Sequence, residues 1–190
     1  MIKESAKNSK MLKTLSLVKS SKLFWILSFT VLTAISAQIA IPVKPVPFTL
    51  QTMMVVLAGA FLGARNGAYS QIIYLALGSI GLPIFAQTPD GLIGFARLFG
   101  PTGGYLLAFP IAAYLTGYII EKNKSYIPVV LAMFAGNVVI ILSGMSFLYT
   151  FYVRDLSEAF ILGAAIFSLW TIVKVFASAA IYFGIKKSIK

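Results

Sequence analysis

Residues 159–185 form an almost continuous apolar run that is interrupted by a single charge, Lys174. About 20 apolar helical residues are enough to span the hydrocarbon core of a bilayer. This run is therefore long enough to cross a membrane. A soluble domain could not bury it together with the rest of a chain that is 59% hydrophobic. The expected solvent of this protein is the lipid bilayer.

Lys174 is the strongest indicator of a binding site. A charge in the middle of a membrane span is costly, and it is rarely kept unless it faces a polar cavity, a partner charge or a ligand. The competing interpretation is a lysine that only snorkels to the interface. Lys174 lies near the middle of its run, where snorkelling is hardest, so the first interpretation is favoured.

Apolar runs bounded by charges, Pro and Gly predict an all-α integral membrane protein with six transmembrane helices. The predicted spans are 23–41, 51–62, 67–80, 104–120, 126–147 and 158–185. The second and third are short, so they tilt or pack inside the bundle. The number of transmembrane helices would be four or five if these two segments form a re-entrant pair. Residues 1–22 are predicted to be a basic cytoplasmic tail, and 23–190 a single membrane domain.

The charges predict the orientation. With both termini in the cytoplasm, twelve Lys and Arg residues fall in inside segments and three in outside segments. This is a strong positive-inside bias. The positive charges cluster at helix ends, which argues against a nucleic-acid partner. The expected location is the bacterial plasma membrane, crossed several times.

Little catalytic chemistry is available to this chain. It has no Cys, no His and five carboxylates, which argues against a metal site, a cofactor or acid–base catalysis. Binding is expected instead, in a cavity suited to a small amphipathic anion. The aromatic residues expected to form its walls are Phe48, Phe85, Phe95, Tyr105 and Tyr69.

Two outer connections are unusual. Residues 42–52 are rich in Pro and therefore extended. Residues 81–103 are long, rich in Gly and Pro, and still hydrophobic, which predicts a lid over an outward-facing cavity. A re-entrant segment that only packs is the alternative. The Gly100-Pro-Thr-Gly-Gly-Tyr105 turn is favoured as a site of close helix packing, and Arg97 just before it adds the alternative of an anion site.

Small residues recur at four-residue spacing in the first two predicted helices, as in Gly59-Ala-Phe-Leu-Gly63. Such spacing lets helix backbones approach closely in lipid. Internal packing is the default interpretation, and docking against another membrane protein is the alternative. Asn137 and Gln38 are intramembrane amides, for which hydrogen bonds between helices are favoured over ligand contact.

The order of several motifs resembles the BioY family, the biotin-specific substrate-binding (S) components of energy-coupling factor (ECF) transporters. The motifs are Pro47-Phe-Thr-Leu-Gln-Thr52, Leu57-Ala-Gly-Ala-Phe-Leu-Gly63, Tyr74-Leu-Ala-Leu-Gly-Ser-Ile-Gly-Leu-Pro83 and Gly100-Pro-Thr-Gly-Gly-Tyr-Leu106. The resemblance implies six helices and an outward vitamin site. It also implies a transmembrane coupling protein and two cytoplasmic ATPases as partners, docking through Thr30, Ala34 and Ala37.

The residues expected to contact the ligand are Lys174, Thr171, Arg97, Gln51, Thr49, Tyr105 and Asn137. The chain departs from the family pattern at Thr171, where an Asp is usual, and at Ile141, where a Tyr is common. The first function expected is biotin capture and transport. The alternatives are a related ring-plus-tail acid such as lipoate, which suits a less polar site, and a membrane assembly partner without a small ligand.

Overall fold

The computed structural model describes residues 21–41, 43–88 and 90–188. The predicted tail 1–22 lies outside these residues except for its last two, so its cytoplasmic position stays a prediction. The elements in chain order are α1 Lys22–Gln38, β1 Ala40–Ile41, β2 Phe48–Thr49, α2 Gln51–Ser79, a 3-10 helix Gly94–Phe99, α3 Gly103–Leu107, α4 Phe109–Lys122, α5 Tyr126–Leu148, α6 Leu156–Phe160 and α7 Ile166–Ser188. Segments of π-helix follow α5 and join α6 to α7, at Tyr149–Val153 and Ile161–Ala165.

The chain is a mainly helical, multi-pass membrane protein. Across the described ranges, three continuous helical stretches are long and apolar enough to cross a membrane: Gly103–Lys122, Tyr126–Val153 and Leu156–Ser188. The first helix, α1, is a shorter apolar helix. The bundle is completed by α2, which does not run straight.

Helix α2 folds back on itself at Gly63. This glycine has φ 80° and ψ 177°, a backbone conformation that interrupts the helix and that glycine adopts without steric cost. The two arms, 51–62 and 64–79, run side by side, since Gln51 at the start of one bonds to Tyr74 in the other. The break lies where the sequence predicts the end of a helix, but the second arm begins earlier than the predicted residue 67.

Two contacts hold this hairpin closed. A Cβ on Gly67 would lie 2.8 Å from the Cα of Gly59, so the arms can touch here only because residue 67 is glycine; a Cβ on Gly59 would instead overlap the Ala113 carbonyl of α4. At the turn, the Ala64 amide donates to the Glu121 carboxylate at 2.9 Å. This bond caps the second arm and ties it to the end of α4. The Gly59 motif therefore serves internal packing, as its default interpretation held.

Polarity is distributed as lipid solvation requires. Large apolar side chains cover the outside, for example Leu131, Leu169 and Ile111, each more than half exposed. The interior contains small and polar residues, including Ser70, Gln71, Thr116 and Ser178. Without a hydrophobic force between helices in lipid, close contact of small residues and hydrogen bonds carry the packing.

The small residues of α1 face inward. Thr30 and Ala37 are buried, and the Thr30 hydroxyl donates to the Ser70 carbonyl of the second α2 arm at 2.9 Å. Ala34 packs against the main hydrophobic core. Thr30 and Ala37 are therefore covered by the protein's own helices, and the prediction that Thr30, Ala34 and Ala37 form a docking face is not confirmed.

A two-stranded ribbon and a long loop (residues 80–102) lie beside the cavity. In the ribbon, Ala40 pairs with Thr49 and Ile41 with Phe48 in antiparallel register. Within the long loop Phe85 is buried, but its ring packs against Gly78 and Tyr74 and does not line the cavity. Phe95 and Phe99 are 63% and 62% exposed, so these two do not cover the cavity.

Candidate ligand-binding site

One cavity lies between the start of α2, the long loop and helices α4, α5 and α7. All seven residues that the sequence analysis expected to contact a ligand line it: Lys174, Thr171, Arg97, Gln51, Thr49, Tyr105 and Asn137. They come from five separate parts of the chain. The fold therefore brings the predicted residues to one place, although that does not by itself show what they bind.

Lys174 holds the unpaired charge of this cavity. Its side chain is 6% exposed, and its ammonium donates to the Thr52 hydroxyl at 2.6 Å and to the Thr49 carbonyl at 3.3 Å. The described residues form one salt bridge, between Arg97 and Asp90, so no described carboxylate neutralises Lys174. An ammonium has three donors, and two are used here. The third is left for an acceptor in the cavity.

The start of α2 supplies the polar wall opposite Lys174. Strand β2 ends at Thr49, and the chain then turns into the helix with its first residues facing the cavity. The Thr49 hydroxyl donates to the Gln51 amide oxygen at 3.1 Å, and the Gln51 amide nitrogen donates to the Tyr74 hydroxyl at 2.6 Å. Gln51 is thereby fixed in orientation, and Thr49 has its carbonyl directed at Lys174.

Two further uncharged groups are open to a ligand. Asn137 donates to the Met133 carbonyl of its own helix at 2.9 Å, so the predicted hydrogen bond between helices is not formed. Its amide oxygen accepts nothing from the described part of the chain. The Thr171 hydroxyl likewise has no hydrogen-bond partner there, and it lies one helical turn before Lys174. Both oxygens can accept a hydrogen bond from a ligand N–H.

Arg97 lines the cavity, but its guanidinium is occupied by the long loop. It donates to the Asp90 carboxylate and the Leu92 carbonyl at 3.1 Å each, and also to the Thr88 hydroxyl and the Ala86 carbonyl. Burial lowers the pKa of Arg97, and the charge of Asp90 opposes that shift. Arg97 therefore fixes the loop that closes one side of the cavity, and few of its donors remain for an anion.

The glycine-rich turn that leads into α3 allows close packing. A Cβ on Gly103 would overlap the Leu98 carbonyl, and one on Gly104 would overlap the Phe147 side chain. Tyr105 is tied down as well, because its hydroxyl donates to the Gly163 carbonyl at 2.7 Å. The packing interpretation of this turn is favoured, and Tyr105 offers the cavity an aromatic face rather than a free hydroxyl.

The sequence analysis missed several lining residues, chiefly Thr52, Phe109 and Phe167. Thr52 belongs to the quoted Pro-Phe-Thr-Leu-Gln-Thr motif, which was the available signal. Phe109 and Phe167 carried no signal, since a phenylalanine in an apolar helix resembles any other core residue. Among the expected aromatic walls, Tyr69 and Phe95 are more than half exposed and lie outside the cavity lining. Phe48 stands behind the wall, with its ring 4.8 Å from that of Phe167.

This arrangement defines a class of protein: a helical membrane protein with a cavity that contains one unpaired positive charge. The family model described as the BioY family matches residues 7–190, and the chain belongs to that family. It is 37% identical over 159 residues to the biotin transporter BioY of Thermotoga maritima, covering 84% of this chain and 92% of the relative. It is 39% identical over 157 residues to the probable biotin transporter BioY of Pyrococcus horikoshii, covering 83% and 91%.

The fold has a solved counterpart. The crystal structure of the S-component for biotin from an ECF-type ABC transporter superposes with a TM-score of 0.77 at 26% sequence identity. The match covers 95% of this chain and 94% of that chain. The resemblance stated from the motifs is therefore confirmed.

Proposed function

We propose that this protein captures biotin in the cavity around Lys174 and acts as the substrate-binding component of an ECF-type transporter. One observation carries the proposal: a buried ammonium with a free donor faces a cavity whose other charged residue, Arg97, is paired with Asp90, in the fold of an S-component for biotin. Transport fits the chain better than catalysis, because a sequence without His or Cys offers few catalytic groups.

The cavity matches the functional groups of biotin. Biotin carries one carboxylate, a ureido ring with one oxygen and two N–H donors, and an apolar chain. Lys174 donates to the ureido oxygen or pairs with the carboxylate. The oxygens of Asn137 and Thr171 accept from the ureido N–H groups, which a buried ligand cannot leave unpaired without a cost of about 1–3 kcal/mol. Phe109 and Phe167 contact the apolar parts.

Lipoate is the alternative cargo, although the relatives and the solved counterpart are named for biotin. Thr171 and Ile141 both line the cavity, at the two positions where the family pattern noted above has Asp and Tyr. The dithiolane ring of lipoate has no strong hydrogen-bond donor, so it makes less use of acidic or phenolic groups in the cavity. A site with Thr and Ile in those places loses less with such a ring than with a ureido ring.

Calorimetric titration of the purified protein in detergent, first with biotin and then with lipoate, tests the cargo. Tight one-to-one binding of biotin supports the proposal. Binding of lipoate without biotin assigns the same fold to a different acid. If a folded sample binds neither acid, the assembly-partner alternative replaces both.

The two poses, with either the carboxylate or the ureido oxygen at Lys174, can be distinguished with biotin amide, which lacks the negative charge of the tail. If Lys174 pairs with the carboxylate, the parent protein prefers biotin over the amide, and Lys174→Met removes that preference. If Lys174 faces the ureido oxygen, the substitution weakens both ligands by the same factor. The comparison of four affinities isolates the interaction between one side chain and one ligand group.

The proposed topology has six membrane helices, both termini in the cytoplasm and the cavity open to the outside of a bacterial plasma membrane. In support, Lys22, Arg65 and Glu121 meet in one depression, as residues of the predicted inner ends would. The chain has no Cys, so Lys124→Cys and Ala96→Cys each introduce a single cysteine. An impermeant reagent is expected to label Ala96→Cys from outside the cell and Lys124→Cys from the cytoplasmic side. Labelling of both from the same side would contradict this topology.

The energy for uptake is proposed to come from an ECF coupling protein and its two ATPases. The sequence has no Gly-x4-Gly-Lys-Ser/Thr motif, so a phosphate-binding loop of that kind has to be supplied by a partner. Thr30 and Ala37 are buried, so the docking contact is not assigned to them. Co-purification with the coupling module tests the partnership.

A further inference from the structure

A chain of three hydrogen bonds connects the cavity wall to the long loop. Thr49 donates to Gln51 at 3.1 Å, Gln51 donates to the Tyr74 hydroxyl at 2.6 Å, and Tyr74 donates to the Ile84 carbonyl at 3.1 Å. Gln51 is 4% exposed and Tyr74 is fully buried. Thr49 and Gln51 line the cavity, whereas Ile84 lies at the start of the loop, so Tyr74 is the one residue between them.

Phe85, the next residue of the loop, occupies a notch beside the same tyrosine. A Cβ on Gly78 would overlap the Phe85 ring, so the notch exists because residue 78 is glycine. The Phe85 ring meets the Tyr74 ring edge to face, with centroids 5.4 Å apart. On its other side the Tyr74 ring stacks against Phe109, which itself lines the cavity, at 6.3 Å. Tyr74 thus contacts loop and cavity wall through both its hydroxyl and its ring.

We infer that Tyr74 is a positioning residue that couples the cavity wall to the position of the long loop. If residues 84 and 85 leave their seat, the buried Tyr74 hydroxyl loses its acceptor and the hydroxyl no longer holds Gln51 as firmly. Conversely, a ligand that fixes the wall around Gln51 stabilises the seated loop, because a coupling free energy acts in both directions. The ligand part of this inference rests on the proposed function, and the coupling between wall and loop does not.

The coupling is measurable without any ligand. The chain has no native cysteine, so Ala86→Cys provides a single reporter at a loop residue that is 7% exposed. Maleimide labelling of this reporter is compared in the parent and in Tyr74→Phe. Removing the hydroxyl takes the shorter of two hydrogen bonds from the Ile84 carbonyl, which keeps only the 3.4 Å bond from the Gln38 amide nitrogen. The expected increase in labelling rate is about tenfold. Tyr182→Phe is the matched control. It also removes the hydroxyl of a buried tyrosine, but Tyr182 lies on α7 and has no described hydrogen bond to the long loop.

If Tyr74→Phe does not fold, Gln51→Met in the same reporter background removes the hydrogen bond from the cavity side. It is expected to speed labelling several-fold. Equal labelling rates in the parent and in every folded variant would overturn the inference. So would an equal increase in the Tyr182→Phe control, which would show general loosening rather than coupling.

Ligand kinetics separate positioning from a merely structural role. With biotin bound to the parent, Tyr74→Phe is expected to raise the dissociation rate about tenfold and to change the association rate little. A lower thermal midpoint with unchanged dissociation would mean that Tyr74 only stabilises the fold. If the parent binds no biotin while Tyr74→Phe still speeds labelling, the proposed cargo fails and the coupling stands.

Discussion

Replacing Lys174 with methionine removes the charge and the donors of the proposed site while keeping an unbranched side chain of similar length. In the structure, the ammonium is 6% exposed and uses two of its three donors on Thr52 and Thr49. The remaining donor is assigned to the ligand. The substitution therefore deletes one ligand contact and leaves the apolar part of the side chain in place.

The size of the effect follows from burial. If Lys174 pairs with the carboxylate, removing one partner of this buried charge pair costs about 2–5 kcal/mol, because the other partner is left unpaired. This corresponds to binding that is roughly 30- to 5,000-fold weaker. The unliganded protein behaves differently. It loses two hydrogen bonds made by a charged group, worth about 1.5–3 kcal/mol each, but it no longer buries an ammonium without a counter-charge, a penalty of several kcal/mol. Its thermal midpoint is expected to stay level or rise.

Calorimetry measures the affinity, and thermal unfolding in detergent measures the stability with and without biotin. Lys186→Met is the matched control on the same helix, since Lys186 is a surface residue whose ammonium lies 4.8 Å from the centre of the Tyr182 ring. Biotin binding by Lys174→Met that is as tight as that of the parent would refute the site assignment. A marked fall in the midpoint of unliganded Lys174→Met would instead show that the lysine holds the helices together.

Three further substitutions and one control variant test the fold around the site, each in detergent-solubilised protein. Gly117→Ala places a Cβ against the Ala64 backbone, which cannot yield, and is expected to cost about 1–3 kcal/mol of stability, whereas Gly184→Ala has open space and should be neutral or slightly stabilising. Glu121→Ala removes the cap on Ala64 and should cost about 0.5–2 kcal/mol, measured as a lower unfolding midpoint. Arg97→Lys keeps the charge but loses the planar fork, so chymotrypsin should cleave the long loop faster; cleavage at the parental rate would contradict its role.

The sequence was sufficient to predict the long helices, because in lipid the limits of an apolar run nearly coincide with the limits of the helix. The predicted span 126–147 compares with Tyr126–Leu148 in the structure. Gly63 was also a usable signal, since a glycine followed by a charge ends an apolar run. The hairpin that it forms was not predictable, because periodicity does not report that two short helices return side by side.

The site could be predicted in part for a physical reason. A charge inside an apolar run has an energetic cost that can be read from composition, and this identified Lys174. Its partner Thr52 is 122 residues away in sequence, and no local pattern connects the two. The roles of the other residues also depend on partners: Arg97 was expected to help capture an anion, but its donors belong to the long loop.

The charges of the described cavity limit what it can hold. Arg97 is paired with Asp90, and Lys174 has no described counter-ion, so the cavity carries one net positive charge. A ligand with a single negative charge balances it, and both biotin and lipoate carry one carboxylate at neutral pH. Charge therefore selects the class of acid but cannot separate these two. In the proposed function, discrimination is assigned to the uncharged oxygens of Asn137 and Thr171, which would gain a hydrogen bond from a ureido N–H and nothing from a dithiolane ring.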